Sequence, residues 1–192
     1  MPAGYGAAVI LVVAATAREL ERVAGAETLV CGIGPVEAAL ATAARLSERR
    51  PRAVLQIGIA GSTTLAPPAL VLGSAAVYAD AVDPGSPFPR VDRQEPDPAL
   101  LALARRVLPE AHVVPIATSG RVGGGSLCEV EAMEGFGVLR AAALAGVPAL
   151  ELRAVSNAVG ETDRGCWHVG EAIAAVSAAL ARVLTALESL DA

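Results

Sequence analysis

Short apolar runs alternate along the chain with longer amphipathic segments. A continuous run of Val, Ile, Leu and Ala is typical of a strand buried on both faces, whereas apolar residues at three- and four-residue spacing are typical of a helix. The pattern predicts strands at 7–15, 28–31, 53–59, 74–79, 112–117, 128–133 and 148–155, and helices at 16–24, 36–47, 97–108, 135–145 and 169–190. It predicts surface or turning loops at 83–98, 119–126 and 156–164.

This alternation of strands and helices predicts a single α/β domain over residues 1–192. The expected architecture is a three-layer sandwich, in which a central, mostly parallel but mixed sheet lies between helices. In such sheets ligands bind beyond the carboxyl ends of the strands, so the residues that follow each strand are the first candidates for a site. They are 16–19, 32–35, 58–64, 119–125, 133–134 and 156–157.

Composition narrows the classes of function. The chain has 192 residues, a net charge of −5 and scattered arginines as its basic residues, so a nucleic-acid surface is not expected. The longest uncharged stretch, 53–79, is interrupted by Gly, Pro, Ser and Thr, and no basic segment precedes the N-terminal apolar run. Neither a membrane span nor a signal peptide is therefore predicted. Three widely spaced cysteines favour a reducing, cytoplasmic location without a disulfide framework.

Several polar groups inside apolar sequence are candidates for chemistry, and each has a structural alternative. Glu131 and Glu134 are either ligands for hydroxyl groups or residues at a helix start, where Glu suits the dipole. Glu151 and Arg153 lie on one face of a predicted central strand, where charges are costly unless they are paired. They could form an ion pair, support the site from behind or belong to an interface. The two histidines and Cys166 lack metal-ligand spacing, so no metal site is predicted.

Glycine turns follow two of the predicted strands. The turn at 32–34 has Glu37 where a dinucleotide fingerprint would place its third glycine, which favours a tight strand-to-helix turn. The absence of Lys from the sequence excludes a P-loop. The small residues at 58–62 permit either a turn or close approach of a ligand to the backbone.

Four segments taken together resemble the purine nucleoside phosphorylase and nucleosidase superfamily. They are the glycine turn and Ala-rich helix at 31–39, the strand and glycine loop at 56–62, the Met-Glu-Gly element at 132–135 and the strand ending in Ser-Asn at 152–157. Within the superfamily, residues 131–157, then 159–164 and Trp167, resemble the futalosine hydrolases. The methylthioadenosine/adenosylhomocysteine nucleosidases normally have Asp at the position of Asn157.

The resemblance implies a nucleoside phosphorylase-like fold and the hydrolysis of an N-glycosidic bond to a 6-oxopurine. The expected reaction converts futalosine to hypoxanthine and dehypoxanthinyl futalosine, in menaquinone biosynthesis. The resemblance assigns Glu19 to the attacking water, Glu134 to the ribose 2′ and 3′ hydroxyls and Asn157 to the base. It also implies contacts of the substrate with Met133, Ile59, Ala60, Gly61 and Ser156. It implies no cofactor, no metal, a small purine nucleoside as ligand, and a homo-oligomer.

The chain departs from the family pattern around the base. Residues 121–123 stand where related nucleosidases place an aromatic residue against the purine, and the helix before Met133 is missing. Three alternatives therefore stay open: a methylthioadenosine/adenosylhomocysteine nucleosidase, a purine nucleoside phosphorylase, and a module that senses nucleosides without turnover. A phosphorylase commonly has a Gly-Asp-Pro loop after the first strand, where this chain has residues 14–19 without one.

Overall fold

An eight-stranded mixed sheet forms the centre of the computed structural model, which describes residues 9–81, 85–123 and 127–190. Its strands are β1 (Ile10–Ala14), β2 (Glu27–Val30), β3 (Ala53–Ser62), β4 (Leu70–Tyr78), β5 (Arg93–Gln94), β6 (His112–Thr118), β7 (Val130–Ala132) and β8 (Ala149–Ala158). The helices are α1 (Ala17–Leu20), α2 (Pro35–Glu48), α3 (Pro98–Val107), α4 (Gly135–Ala145) and α5 (Val169–Glu188). Short 3₁₀ turns occupy Ala79–Ala81 and Arg164–Cys166.

Most neighbouring strands run parallel, and the sheet partly closes on itself. The parallel pairs are β1–β2, β1–β3, β3–β8, β4–β6 and β6–β7. The antiparallel pairs are β3–β7, β4–β8 and β4–β5. The pairings through β3, β8, β4, β6 and β7 therefore form a ring, and β3 and β8 bring the carboxyl ends of two long strands side by side.

Helices cover both faces of the sheet. Alternate residues of β1 point to opposite faces, so Val12 belongs to one core with α3 and α5, and Leu11 and Val13 belong to another with α2 and α4. The predicted α/β sandwich with a mixed sheet is confirmed.

Most predicted elements are present, and their ends differ for local reasons. The helix expected at 16–24 stops at Leu20, because Val23 N donates to Leu20 O and Gly25 has a φ of +76°. The strand expected at 148–155 continues to Ala158, so Ser156 and Asn157 lie within β8 and not in a loop. The expected loop at 83–98 contains the short strand β5, while residues 82–84 and 124–126 lie outside the described residues.

Helix α5 is the one helix among the described residues that is long and apolar enough to cross a membrane by length and composition. Here its residues Val176, Leu180 and Val183 are buried in the core beneath the sheet. Packing in that core accounts for the apolar composition of this helix.

Candidate active site

A cavity of about 360 Å³ lies at the carboxyl ends of β1, β3, β7 and β8. The parallel strands of the sheet place this edge where ligands bind in open α/β folds. Every predicted site residue lines the cavity: Glu19, Ile59, Ala60, Gly61, Met133, Glu134, Ser156 and Asn157. The sheet therefore brings together residues that lie far apart in the sequence.

Glu19 is fixed by three backbone and side-chain donors. Its Oε2 accepts hydrogen bonds from Thr16 N (3.0 Å) and Thr16 Oγ1 (2.8 Å). Its Oε1 accepts one bond, from Ile59 N at 3.2 Å. Because a carboxylate oxygen accepts about two hydrogen bonds, Oε1 is the oxygen with a lone pair left for a further donor such as water.

Glu134 is the N-cap residue of α4 and is also held on both oxygens. Its Oε1 accepts from Gly34 N at 3.2 Å, and its Oε2 accepts from Arg153 Nη2 at 3.2 Å. Gly34 lies in the turn after β2 and has a φ of +98°, a conformation that favours glycine. The tight turn that the sequence predicted thus also orients a carboxylate, which keeps one lone pair on each oxygen for the substrate.

The buried Arg153 joins Glu134 to Glu151 and to the backbone of β3. It is 1% exposed, and its Nε donates to Glu151 Oε1 at 2.9 Å, its Nη1 to Ile59 O at 3.2 Å and its Nη2 to Glu134 Oε2 at 3.2 Å. The sequence left three roles open for Glu151 and Arg153, and the structure makes them a buried ion pair next to the site. Burial raises the pKa of Glu151, although the charge of Arg153 opposes that rise.

Two glycines make room for these charges. A Cβ at Gly58 would lie 2.4 Å from Arg153 Nη1 and 2.7 Å from Glu19 Oε1. A Cβ at Gly135 would lie 2.1 Å from Glu151 Oε2. The buried side chains approach the backbone so closely that only glycine fits at Gly58, in the segment 56–62, and at Gly135, in the Met-Glu-Gly element.

Near the end of β8 the cavity is lined by the neutral side chains of Ser156 and Asn157. Ser156 Oγ lies 2.7 Å from Asn157 Oδ1 and donates to it, and Asn157 Nδ2 donates to Ala158 O at 2.9 Å. These bonds fix the orientation of the amide. They leave Asn157 with one lone pair on Oδ1 and one N–H on Nδ2. A shift in the β3–β8 register between Ala60 and Gly61 aligns Gly61 with Asn157.

Glu131, a candidate from the sequence, lies beside Asn157 in the cavity wall. Gly61 pairs with Glu131 on one side and with Asn157 on the other. Glu131 Oε1 accepts from Gly123 N at 2.7 Å, whereas its buried Oε2 has no hydrogen-bond partner among the described residues.

Three further residues of the cavity received no individual role from the sequence, although Thr16 lies in the candidate segment 16–19. Thr16 holds Glu19, and Arg164 and Trp167 line the wall with the guanidinium carbon 5.7 Å from the ring centre. Trp167 is the aromatic residue of this cavity in the described chain, where residues 121–123 provide none. A lone Trp in a polar loop carries no pattern that assigns it to a site.

The described parts of the chain contain no group of three or more His, Cys, Asp or Glu side chains placed to hold a metal ion. Cys31 is buried near Glu134, and burial first, then the charge of Glu134, raises the pKa of its thiol to about 12. Its neutral thiol donates to Gly32 O at 3.4 Å.

The sequence and the fold match known proteins over most of their length. The family model of the phosphorylase superfamily matches residues 22–188. A futalosine hydrolase of Streptomyces coelicolor is 37% identical, with 86% of this chain and 81% of the relative covered.

Solved structures match the fold at lower identity. A futalosine hydrolase mutant of Helicobacter pylori has a TM-score of 0.83 at 19% identity and covers 93% of this chain and 99% of its own. A Streptococcus pneumoniae MTA/SAH nucleosidase in complex with 8-aminoadenine has a TM-score of 0.80 at 20% identity, with the same coverage. The family-model match and the Streptomyces relative show that the chain belongs to the phosphorylase superfamily and is an N-glycosyl hydrolase.

Proposed function

We propose that the chain hydrolyses the N-glycosidic bond of futalosine and releases hypoxanthine and dehypoxanthinyl futalosine, as a step of menaquinone biosynthesis. The orientation of the Asn157 amide is the observation that carries this proposal. The Streptomyces relative at 37% identity supports the choice of substrate.

Asn157 selects the base through complementary hydrogen bonds. A 6-oxopurine protonated at N7 presents an N–H donor at N7 and an acceptor at O6 on one edge. The remaining lone pair of Asn157 Oδ1 accepts from N7–H, and its remaining N–H donates to O6. Adenine presents an amino donor in place of O6, so the Asn157 N–H would face another donor and both groups would stay unpaired.

Glu134 and Glu19 act on the sugar. Glu134 accepts hydrogen bonds from the ribose 2′ and 3′ hydroxyls through the lone pairs that Gly34 and Arg153 leave. The bond from C1′ to N9 breaks with its electron pair passing to the purine, and the sugar ring acquires oxocarbenium character. Glu19 Oε1 orients a water and takes its proton as the water oxygen bonds to C1′. The N7 proton of the leaving base comes from solvent, and Glu19 returns the proton that it takes to solvent, so that overall water supplies OH to C1′ and the base leaves with one added proton.

The test is a panel of nucleosides, incubated with and without phosphate, in which the released base and sugar are identified by mass spectrometry. We expect hypoxanthine and a free reducing sugar from futalosine or inosine, at a rate independent of phosphate. A sugar 1-phosphate, or a strict need for phosphate, would instead make the protein a phosphorylase. Ligand binding without any release of base would make it a sensing module.

We further propose that the protein works in the cytoplasm as a homo-oligomer. Cys31 and Cys166 form no disulfide, which suits a reducing compartment.

Ile33, Val36 and Leu40 are each more than half exposed on or next to α2, and burial of such a row between copies would remove apolar surface from water. Sedimentation velocity of the purified protein tests this: a single monomeric species at micromolar concentration would contradict it.

A further inference from the structure

We propose that Glu151 is a positioning residue of this site, which fixes the Arg153 guanidinium so that Arg153 in turn holds the ribose-binding carboxylate of Glu134. The inference deepens the proposed function and rests on it, because it explains how Glu134 is kept in place for the sugar. Glu151 accepts from Arg153 Nε, whereas Glu134 accepts from Arg153 Nη2, and Glu151 does not line the cavity itself.

The contacts of Arg153 define its orientation completely. Nε bonds to Glu151 at 2.9 Å, Nη1 to Ile59 O at 3.2 Å and Nη2 to Glu134 at 3.2 Å. A guanidinium is planar and its donors have a fixed fork geometry, so an acceptor at Nε sets the direction of both Nη groups. The shortest of the three bonds is the one to Glu151. Without it, rotation about the side-chain bonds would move the donor away from Glu134 Oε2.

The burial of Glu151 points to a role beyond packing. The side chain is 0% exposed, and its Oε2 has no hydrogen-bond partner among the described residues. An apolar residue at this place in β8 would fill the space without burying a charge and an unpaired oxygen. A buried carboxylate that is only half satisfied therefore adds little to the fold, whereas its other oxygen orders the guanidinium beneath the ribose.

The backbone around Glu151 is shaped to hold its carboxylate. A Cβ at Gly135 would lie 2.1 and 2.3 Å from the two oxygens, and a Cβ at Gly73 would lie 3.3 Å from the Glu151 Cβ. Gly135 directly follows Glu134 in the chain. The carboxylate is thus confined between β4 and the start of α4, and the segment that carries Glu134 packs directly on the residue that orients its partner.

The test measures how well the enzyme distinguishes a substrate with ribose hydroxyls from one without them. The values of kcat/KM for inosine and for 2′,3′-dideoxyinosine are compared in the wild type and in each variant. Glu151→Met removes the acceptor at nearly constant volume, and Glu151→Gln keeps an acceptor oxygen for Arg153 Nε. Thr42→Val, a change at a buried and unpartnered hydroxyl in α2, is the matched control.

We expect Glu151→Met to lower the inosine-to-dideoxyinosine ratio by about 10- to 100-fold, because misplacement of Glu134 affects only the substrate that it binds. Glu151→Gln should restore most of that ratio, and Thr42→Val should leave it unchanged. Gly135→Ala, which displaces the same carboxylate, should lower the ratio as well and covers the case in which Glu151→Met does not fold. Equal losses for both substrates, or an unchanged ratio in folded Glu151→Met and Gly135→Ala, would overturn the inference. A wild type that hydrolyses neither nucleoside, nor futalosine, would overturn the proposed function instead.

Discussion

The two ends of the cavity are built from different chemistry. At the end that we propose binds the ribose, called the ribose end, Glu134 and Arg153 are buried, charged and bonded to each other, and each oxygen of Glu134 already has a protein donor. At the end that we propose binds the base, called the base end, Asn157 is neutral and keeps one donor and one acceptor unused. Both ends keep hydrogen-bonding capacity for a ligand, but the ribose end is held by charge-assisted bonds and Asn157 at the base end by bonds between neutral groups.

In the proposed function, this difference separates the chemical step from the choice of base. Charge-assisted bonds hold the groups that would bind the sugar and water, and an error there affects ribonucleosides of either base type alike. A single neutral amide reads the base, and an error there changes which base is preferred. The comparison predicts that substitutions at the two ends differ both in size and in kind.

The largest effect is expected for Glu134→Ala at the ribose end. The substitution removes two charge-assisted bonds to the substrate, worth about 1.5–3 kcal/mol each, and leaves Arg153 with one carboxylate partner fewer. We expect weaker binding and slower turnover, together with a lower free energy of unfolding, measured by steady-state kinetics and urea denaturation. A 2′,3′-dideoxy analogue should already be a poor substrate of the wild type, and its kcat/KM should fall little further in this variant. A large additional loss with that analogue would indicate a structural role alone.

Glu19→Gln should slow turnover by about 10²–10⁴-fold with little change in ligand binding, because an amide cannot take the proton of the water. The amide oxygen can still accept from the Thr16 donors, so the helix start should remain intact. Single-turnover kinetics and equilibrium binding of a non-hydrolysable analogue separate the two effects. Turnover at the wild-type rate would remove Glu19 from the chemical step.

Asn157→Asp should act on the choice of base and not on catalysis in general. A carboxylate or carboxylic acid at this position suits the amino group beside N7 of adenine better than O6 of hypoxanthine. We expect a shift of about 1–3 kcal/mol in relative kcat/KM toward adenine nucleosides. Equal losses for both base types would show that Asn157 does not distinguish them.

The smallest effect is expected on the reactivity of the Cys31 thiol, whose pKa depends in part on the charge of Glu134. Burial, and then Glu134, raises the pKa of the Cys31 thiol to about 12, so it stays protonated at pH 8 and the reactive thiolate forms only at much higher pH. Alkylation by iodoacetamide, followed by mass spectrometry, should modify exposed Cys166 well before Cys31. Removal of the Glu134 charge in Glu134→Gln should lower the pKa of Cys31 and speed its alkylation. Cys31 that reacts as fast as Cys166 in the wild type would contradict this view of the ribose end.

The elements of the fold with strong local signals could be predicted from the sequence. Helix α4 runs over the predicted residues 135–145, because apolar spacing ends at Gly146, which adopts a left-handed conformation. Helix α3 begins where Asp97 caps it by accepting from Ala99 N and Leu100 N. The end of β8 could not be predicted, since Ser156 and Asn157 are polar and a strand that carries site residues departs from the apolar pattern.

The candidate site shows the same limit. The family resemblance identified the residues that line the cavity, among them Glu19 and Glu134. The bond from Ile59 N to Glu19 and the bond from Arg153 to Glu134 join segments that are distant in the chain. Local sequence spacing does not reveal such pairs. The role of Arg153, which bonds to Glu134 and to the carbonyl of Ile59, could therefore be seen only in the three-dimensional structure.

The most direct test of the two-ended cavity is a competition between two substrates that share the ribose and differ in the base. Wild-type protein is incubated with equal concentrations of inosine and adenosine, whose sugars are identical, in phosphate-free buffer, and hypoxanthine and adenine are quantified over time. The hydrogen-bonding groups of Asn157 predict that hypoxanthine is released faster, by about 5- to 150-fold from an unpaired-group penalty of about 1–3 kcal/mol. If adenine is released at least as fast as hypoxanthine, the proposed recognition of the base by Asn157 is contradicted, and the protein is instead a methylthioadenosine-type nucleosidase.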